Sequence, residues 1–144
     1  MKKILIINGP NLNLLGLREP DIYGSMTLED IKDYTENKLK SEKQNVDLEW
    51  YQSNIEGELV ESIQKAIHTE YDALIVNPAA YSHTSVAMLD ALRMINVPII
   101  EVHLTNVYSR EEFRQTLLTA RAASKIMSGL GKDAYYLAVI SELI

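Results

Sequence analysis

Lys3-Ile4-Leu5-Ile6-Ile7, followed at once by Asn8-Gly9-Pro10-Asn11-Leu12-Asn13, is the stretch that decides the fold. The run is apolar, rich in β-branched residues and too short for a helix. It stops abruptly at residues that favour turns. A short apolar run without polar alternation reads as a strand buried on both faces. Ala73 to Val76 and Ile99 to Val102 repeat the pattern. Val46 to Gln52 alternates Val46, Leu48 and Trp50 with Asp47, Glu49 and Tyr51, the signature of a strand with one drier face. Ala134 to Ile140 is the fifth expected strand.

Helical periodicity fills the intervals. Thr27 with Asp30 forms a capping-box start, and Leu28, Ile31 and Tyr34 follow at helical spacing. Leu59, Val60, Ile63 and Ile67 mark a second helix, with His68 as a helix-terminus histidine. Val86, Leu89, Leu92 and Ile95 mark a third. Ser109 with Glu112 opens an expected fourth, continued by Phe113, Leu117 and Ala120. Alternating strands and helices predict an α/β chain: one flavodoxin-like, doubly wound, five-stranded parallel sheet, order 2-1-3-4-5, over residues 1–144 as a single domain.

Composition narrows the function classes. The 144 residues are 47% hydrophobic and 24% charged, close to globular averages. Cysteine is absent, which removes disulfides, thiolate metal sites and thiol nucleophiles and fits a cytoplasmic protein. A net charge of −6, with the basic residues scattered, argues against nucleic acid. The apolar runs are too short to cross a membrane. Met1-Lys2-Lys3 imitates a signal-peptide start, but Asn8, Pro10, Asn11 and Asn13 interrupt it, so no export is expected.

In such sheets ligands bind beyond the carboxyl ends of the strands. Asn8 to Asn13 follow the first strand, and the connection runs on through Arg18 and Tyr23 to about Met26. That is long for a βα loop and suits a lid or binding loop. Gln52-Ser53-Asn54 end the second strand. Asn77-Pro78 and Tyr81-Ser82-His83-Thr84-Ser85 follow the third, and Glu101-Val102-His103-Leu104-Thr105-Asn106 the fourth, with Arg110 and Arg114 beyond. Glu101 and His103, two apart on a strand, share a face, so Glu101 can hold the His103 ring. The same pair could begin a metal site, but no further ligands stand at familiar spacing, and none is expected. Arg18, Arg110 and Arg114, three of the chain's five arginines, gather near this rim and suit an anionic substrate.

Several chemistries lack their residues. Neither the dinucleotide nor the nucleoside-triphosphate glycine signature follows the first strand. Gly129-Leu130-Gly131-Lys132 reads as a turn ahead of the last strand. No nucleophile elbow surrounds Ser82 or Ser85. The acidic cluster of a receiver domain and the Ser/Thr-rich loop of a flavin site are also missing.

These blocks resemble type II 3-dehydroquinate dehydratase, the small shikimate-pathway lyase, in order and over nearly the whole chain. The resemblance rests on Asn8 to Gly16 with Arg18-Glu19-Pro20 and Tyr23-Gly24; Gln52-Ser53-Asn54 with Glu56-Gly57; Asn77 to Ser85 with Asp90-Ala91; and Glu101 to Asn106 with Arg110 to Arg114. Ala79 and Ala134 stand where the family commonly has glycine, and Thr105 where it has serine. Gln115-Thr116-Leu117 replace residues that are often histidines and a serine.

The resemblance implies anti elimination of water from 3-dehydroquinate through an enolate, with neither cofactor nor Schiff base. Tyr23 would be the base as phenolate. A phenol loses its proton near pH 10 in water, so working near pH 7 takes about 4 kcal/mol of electrostatic help. Arg18 and Arg110 would supply it. Asn11 would hold the enolate oxygen, and His103, steered by Glu101, would protonate the departing hydroxyl. Asn77, His83 and Arg114 would bind substrate hydroxyls, and the Leu104 and Thr105 N–H groups its carboxylate. Asp90 would reach a neighbouring subunit's site in a dodecamer built of trimers. The rival expectations are an inactive flavodoxin-like binding module, and a different lyase or isomerase acting on another polyhydroxylated carboxylate.

Overall fold

The computed structural model describes residues 1–17 and 19–144; Arg18 lies outside the described residues. Five strands, β1 (Lys2–Asn8), β2 (Val46–Gln52), β3 (Ala73–Asn77), β4 (Ile99–His103) and β5 (Lys125–Ser128), form one sheet in the order β2-β1-β3-β4-β5. Every pairing is parallel. The expected flavodoxin-like winding is therefore what the chain adopts.

Alternation along β1 builds two cores. Ile4 and Ile6, with Ile75, Ile100 and Val102, face one side of the sheet. There they meet Ile31 and Leu39 of α2 (Leu28–Ser41) and Tyr135, Ala138 and Val139 of α5 (Ala134–Ser141), helices numbered after the short α1 (Pro20–Tyr23). Leu5 and Ile7, with Leu74, Val76 and Ile99, face the other side. They pack on Leu59 and Ile63 of α3 (Glu56–His68) and on Met88, Ala91 and Leu92 of α4 (Val86–Leu92). Each buried aliphatic side chain contributes roughly 1.5–3 kcal/mol relative to exposure. The Thr27–Asp30 capping box forms as read, with Asp30 N–H donating to Thr27 Oγ1 at 3.0 Å and Thr27 N–H to Asp30 at 3.0 Å.

Two expected elements are corrected. Ala134 to Ile140 is not a strand but lies within helix α5, and the fifth strand is Lys125–Ser128. Ala134, Tyr135, Ala138 and Val139 are the buried positions, a helical spacing that an almost wholly apolar run conceals. β5 is a short edge strand with Ile126 turned outward, so it carries little strand signal. Gly129 to Lys132 consequently follows the last strand instead of preceding it. It is a turn, and its Gly129 and Gly131 N–H groups donate to the carbonyls of His103 (3.2 Å) and Leu104 (2.9 Å).

The expected helix from Ser109 is also absent. Separate 3₁₀ turns occupy Val107–Ser109, Glu112–Gln115 and Thr119–Ala122. Phe113, the intended anchor of an apolar face, is exposed. The backbone between and after the turns bonds elsewhere: Leu118 N–H to the Ser82 carbonyl at 2.7 Å, Ser124 N–H to that of Ile99 at 2.8 Å. Helix α4 closes at Leu92, short of Ile95. Among the described residues no helix is long and apolar enough to cross a membrane.

Candidate active site

The registers bring the strand ends level. Asn8 pairs with Gln52 on one side and Asn77 on the other, and His103 pairs with Ser128. A pocket opens above β1, β3 and β4, where the winding changes direction.

The β1 end is shaped by close approach. A Cβ on Gly9 would lie 2.3 Å from the Pro78 carbonyl oxygen, so only glycine lets the first and third loops touch. Gly9 N–H donates to the Asn77 carbonyl at 2.8 Å. Asn11 follows at φ +69°, a left-handed conformation that asparagine tolerates. Its N–H donates to Asn54 Oδ1 at 2.9 Å, and Gln52 donates to both Gly9 O (3.1 Å) and Asn54 Oδ1 (3.2 Å). The second strand's polar end thus holds Asn11 at the pocket wall.

Tyr23 closes α1 and lies half-buried over the pocket. Arg110 Nη1 donates to its hydroxyl at 2.8 Å, and the guanidinium carbon is 5.3 Å from the ring centroid. Burial works against the Arg110 charge, but the Tyr23 oxygen, Glu111 and Glu19 outweigh it and hold the guanidinium above its ordinary range. Arg114 is held by Glu111, Nε to Oε2 at 2.7 Å.

Glu101 and His103 share a face of β4, as their spacing predicts. His103 Nε2 donates to Glu101 Oε2 at 2.8 Å, both side chains buried. Thr119 donates to the other carboxylate oxygen, Oε1. The His83 ring lies 6.5 Å from that of His103 and meets the Thr116 carbonyl through Nδ1 at 2.9 Å. Burial lowers the His83 pKa, with the His103 and Arg114 charges adding to the effect. Asn77 donates to the Tyr135 hydroxyl at 3.0 Å, which in turn donates to Asn8 Oδ1. Asn77 Oδ1 accepts from Ala79 N–H at 3.2 Å.

Of the residues expected from the sequence, Asn11, Tyr23, Asn77, His83, His103, Leu104, Thr105, Arg110 and Arg114 line this pocket. Glu101 stands behind His103. Asp90 lies exposed on α4 and does not line it. Arg18 lies outside the described residues. Pro10, Leu12, Ala79, Ala80 and Val107 also line it, and the sequence gives none of them a role. Their signal was only adjacency to the polar strand ends. Among the described residues no group of three or more acidic or histidine side chains could hold a metal.

The family described as Dehydroquinase class II matches residues 2–143. The chain belongs to the class II dehydroquinase family. With that family it is a 3-dehydroquinate dehydratase, a lyase. It is 50% identical over 139 residues to the 3-dehydroquinate dehydratase of Clostridium botulinum strain Hall, covering 96% of this chain and 92% of that protein. The type II dehydroquinase from Butyrivibrio crossotus superposes with a TM-score of 0.94 at 40% identity, covering 99% and 98% of the two chains. That from Propionibacterium acnes gives 0.90 at 37% identity, covering 98% and 95%.

Proposed function

We propose that this dehydroquinase works by stepwise elimination, with Tyr23 as base and His103 as acid. Tyr23 oxygen takes the proton α to the ketone of 3-dehydroquinate. The C–H electrons move to the carbonyl oxygen, giving an enolate that Asn11 and its hydration stabilise. The enolate then collapses and the carbon–oxygen bond breaks; His103, protonated on both ring nitrogens, gives its Nδ1 proton to the departing hydroxyl, which leaves as water, and regains that proton from solvent. Tyr23 returns its proton to solvent.

One observation carries the reading: the guanidinium of Arg110 against the Tyr23 oxygen, in the same pocket as the Glu101–His103 pair. The guanidinium sets a positive charge against the oxygen that acts as the base. With Nε2–H given to Glu101, Nδ1 is the His103 nitrogen left to carry the transferred proton. Arg18 is assigned to the same charge stabilisation from the resemblance. Asn77, His83 and Arg114 take the substrate hydroxyls, and the Leu104 and Thr105 N–H groups its carboxylate.

No lysine lines the pocket among the described residues, which supports elimination without an imine. Asp90, exposed on α4, is assigned to a neighbouring subunit's site in a dodecamer of trimers. Addition of 3-dehydroquinate to purified protein tests the whole reading. Ultraviolet absorbance of the conjugated enone should rise, and borohydride with substrate should leave activity and mass unchanged. A reduced adduct on any lysine overturns it.

A further inference from the structure

The segment that replaces the expected fourth helix has a role in the chemistry. We propose that Thr119 is a positioning residue: its hydroxyl fixes the Glu101 carboxylate, which holds Nε2–H, so that His103 takes up its second proton on Nδ1 and presents that N–H to the leaving hydroxyl. This rests on the reading of His103 as the acid.

Thr119 is fully buried and opens the 3₁₀ turn Thr119–Ala122. Glu101 is 1% exposed, so water does not solvate its charge. Its two oxygens have two named donors, Thr119 on Oε1 and His103 on Oε2. One donor on each oxygen leaves the carboxylate a single orientation, and through it the imidazole a single tautomer and plane. Without the hydroxyl, Oε1 is a buried oxygen with no donor among the described residues, an unfavourable state that rotation of the carboxylate away from His103 would relieve.

The segment is anchored to the rest of the site by more than Thr119. Three residues earlier, the Thr116 carbonyl holds His83 Nδ1, and Leu118 N–H binds the Ser82 carbonyl of the His83 loop. One stretch, Thr116 to Thr119, therefore touches the supports of both pocket histidines. These contacts draw on the backbone groups a helix would have used.

The experiment compares Thr119→Val, Thr119→Ser and His103→Ala with the parent enzyme. It reads kcat and KM for 3-dehydroquinate, α-proton exchange, and the ¹⁵N spectrum of the His103 ring. The chain has 3 histidines, and the His103→Ala spectrum identifies the ring's signals. Thr119→Val should lower kcat about ten- to thirtyfold with KM and exchange within about threefold, because only the acid step loses its geometry. The single Nε2–H tautomer of the neutral ring, the form left after the Nδ1 proton is delivered, should give way to a mixture. Thr119→Ser should restore kcat to within about threefold of the parent and restore the single tautomer. If Thr119→Val does not fold, Thr119→Cys, with a weak donor of similar size, should show the same losses in smaller measure. A valine or cysteine variant with parental kcat and tautomer overturns the proposal, as does a loss that serine fails to restore. Full turnover by His103→Ala overturns the acid assignment and this proposal together. A crippled His103→Ala beside a fully active Thr119→Val overturns this proposal alone.

Discussion

Arg110 and Tyr23, 87 residues apart in the chain, meet through a 2.8 Å hydrogen bond from guanidinium to hydroxyl. The contact pins the short helix α1 over the pocket and directs a positive charge at the phenol oxygen. Glu19 and Glu111 also stand near the same guanidinium, at 3.9 Å from Nη2 and 3.8 Å from Nε.

Tyr23→Phe should abolish proton abstraction while leaving product affinity within about tenfold. The ring still covers the pocket and excludes water, whereas the oxygen that accepts the proton is gone. Deuterium loss from α-labelled substrate is the measurement. Substantial exchange by the variant would assign the base elsewhere.

Ala79→Gly should stabilise the protein. Ala79 sits at φ +53°, in the left-handed region, at the entrance to the third loop. A residue with a Cβ costs roughly 1–2 kcal/mol there, while glycine gives back about 0.5–1 kcal/mol through the unfolded chain's entropy. The net gain is about 0.5–1 kcal/mol, seen as a rise of a few degrees in Tm by calorimetry. A drop in Tm would show that the alanine methyl packs well enough to offset the strain.

Gly9→Ala should do the reverse. Its new methyl carbon would meet Pro78 O at 2.3 Å and Pro78 C at 2.7 Å, both backbone atoms that cannot swing aside. The first and third loops must separate, at about 1–3 kcal/mol. Asn11 and Asn77 then move apart, and kcat/KM should fall by at least tenfold in a progress-curve assay. Unchanged activity would show that the loops tolerate the separation.

Much of this site was legible because strand chemistry is local. Glu101 and His103 stand two residues apart on a strand, and period-two geometry alone puts them on one face. The turn-forming ends of β1, β3 and β4 marked the rim directly. Lys125–Ser128 was not legible, because an edge strand buries little and needs no apolar run. Tyr135 and its neighbours read as a strand because a fully apolar stretch looks the same as strand or helix. Thr119 had no local signature at all. It reaches Glu101 across 18 residues, through turns whose shape is set by bonds to Ser82, His83 and Ile99.

Alkaline pH should destabilise the fold through Tyr71. Its hydroxyl donates to Glu49 Oε2 at 2.6 Å, and burial, aided by that carboxylate, pushes the phenol up to about 12. An unfolded tyrosine titrates near 10. The folded state therefore binds the proton more tightly, and this stabilisation is complete below pH 10 and lost as pH rises toward 12. Tyr135, fully buried, is shifted in the same direction, as is Lys65 beside Glu49. Urea midpoints should change little from pH 9 to 10 and fall from pH 10 to 11. Tyr71→Phe should flatten part of that slope while costing about 1 kcal/mol at neutral pH for the lost hydrogen bond. A slope identical to the parent's would remove Tyr71 as the cause.

His103→Ala should cripple departure of the hydroxyl far more than enolate formation. A tertiary hydroxide is a poor leaving group, and a positioned proton donor contributes roughly 10²–10⁴-fold, about 3–5 kcal/mol. In the proposed mechanism enolisation relies on Tyr23, Arg18, Arg110 and Asn11, which this change does not touch. The variant should therefore exchange the α-proton with solvent while product formation nearly stops. It should also leave the buried Glu101 carboxylate with Thr119 as its remaining side-chain donor among the described residues, so some loss of thermal stability accompanies the loss of rate. Added imidazole should recover part of the rate, because the cavity matches the ring that was removed. Parallel measurement of exchange and enone formation separates the two steps. Near-normal enone formation in the alanine variant would move the acid to His83 or to a bound water.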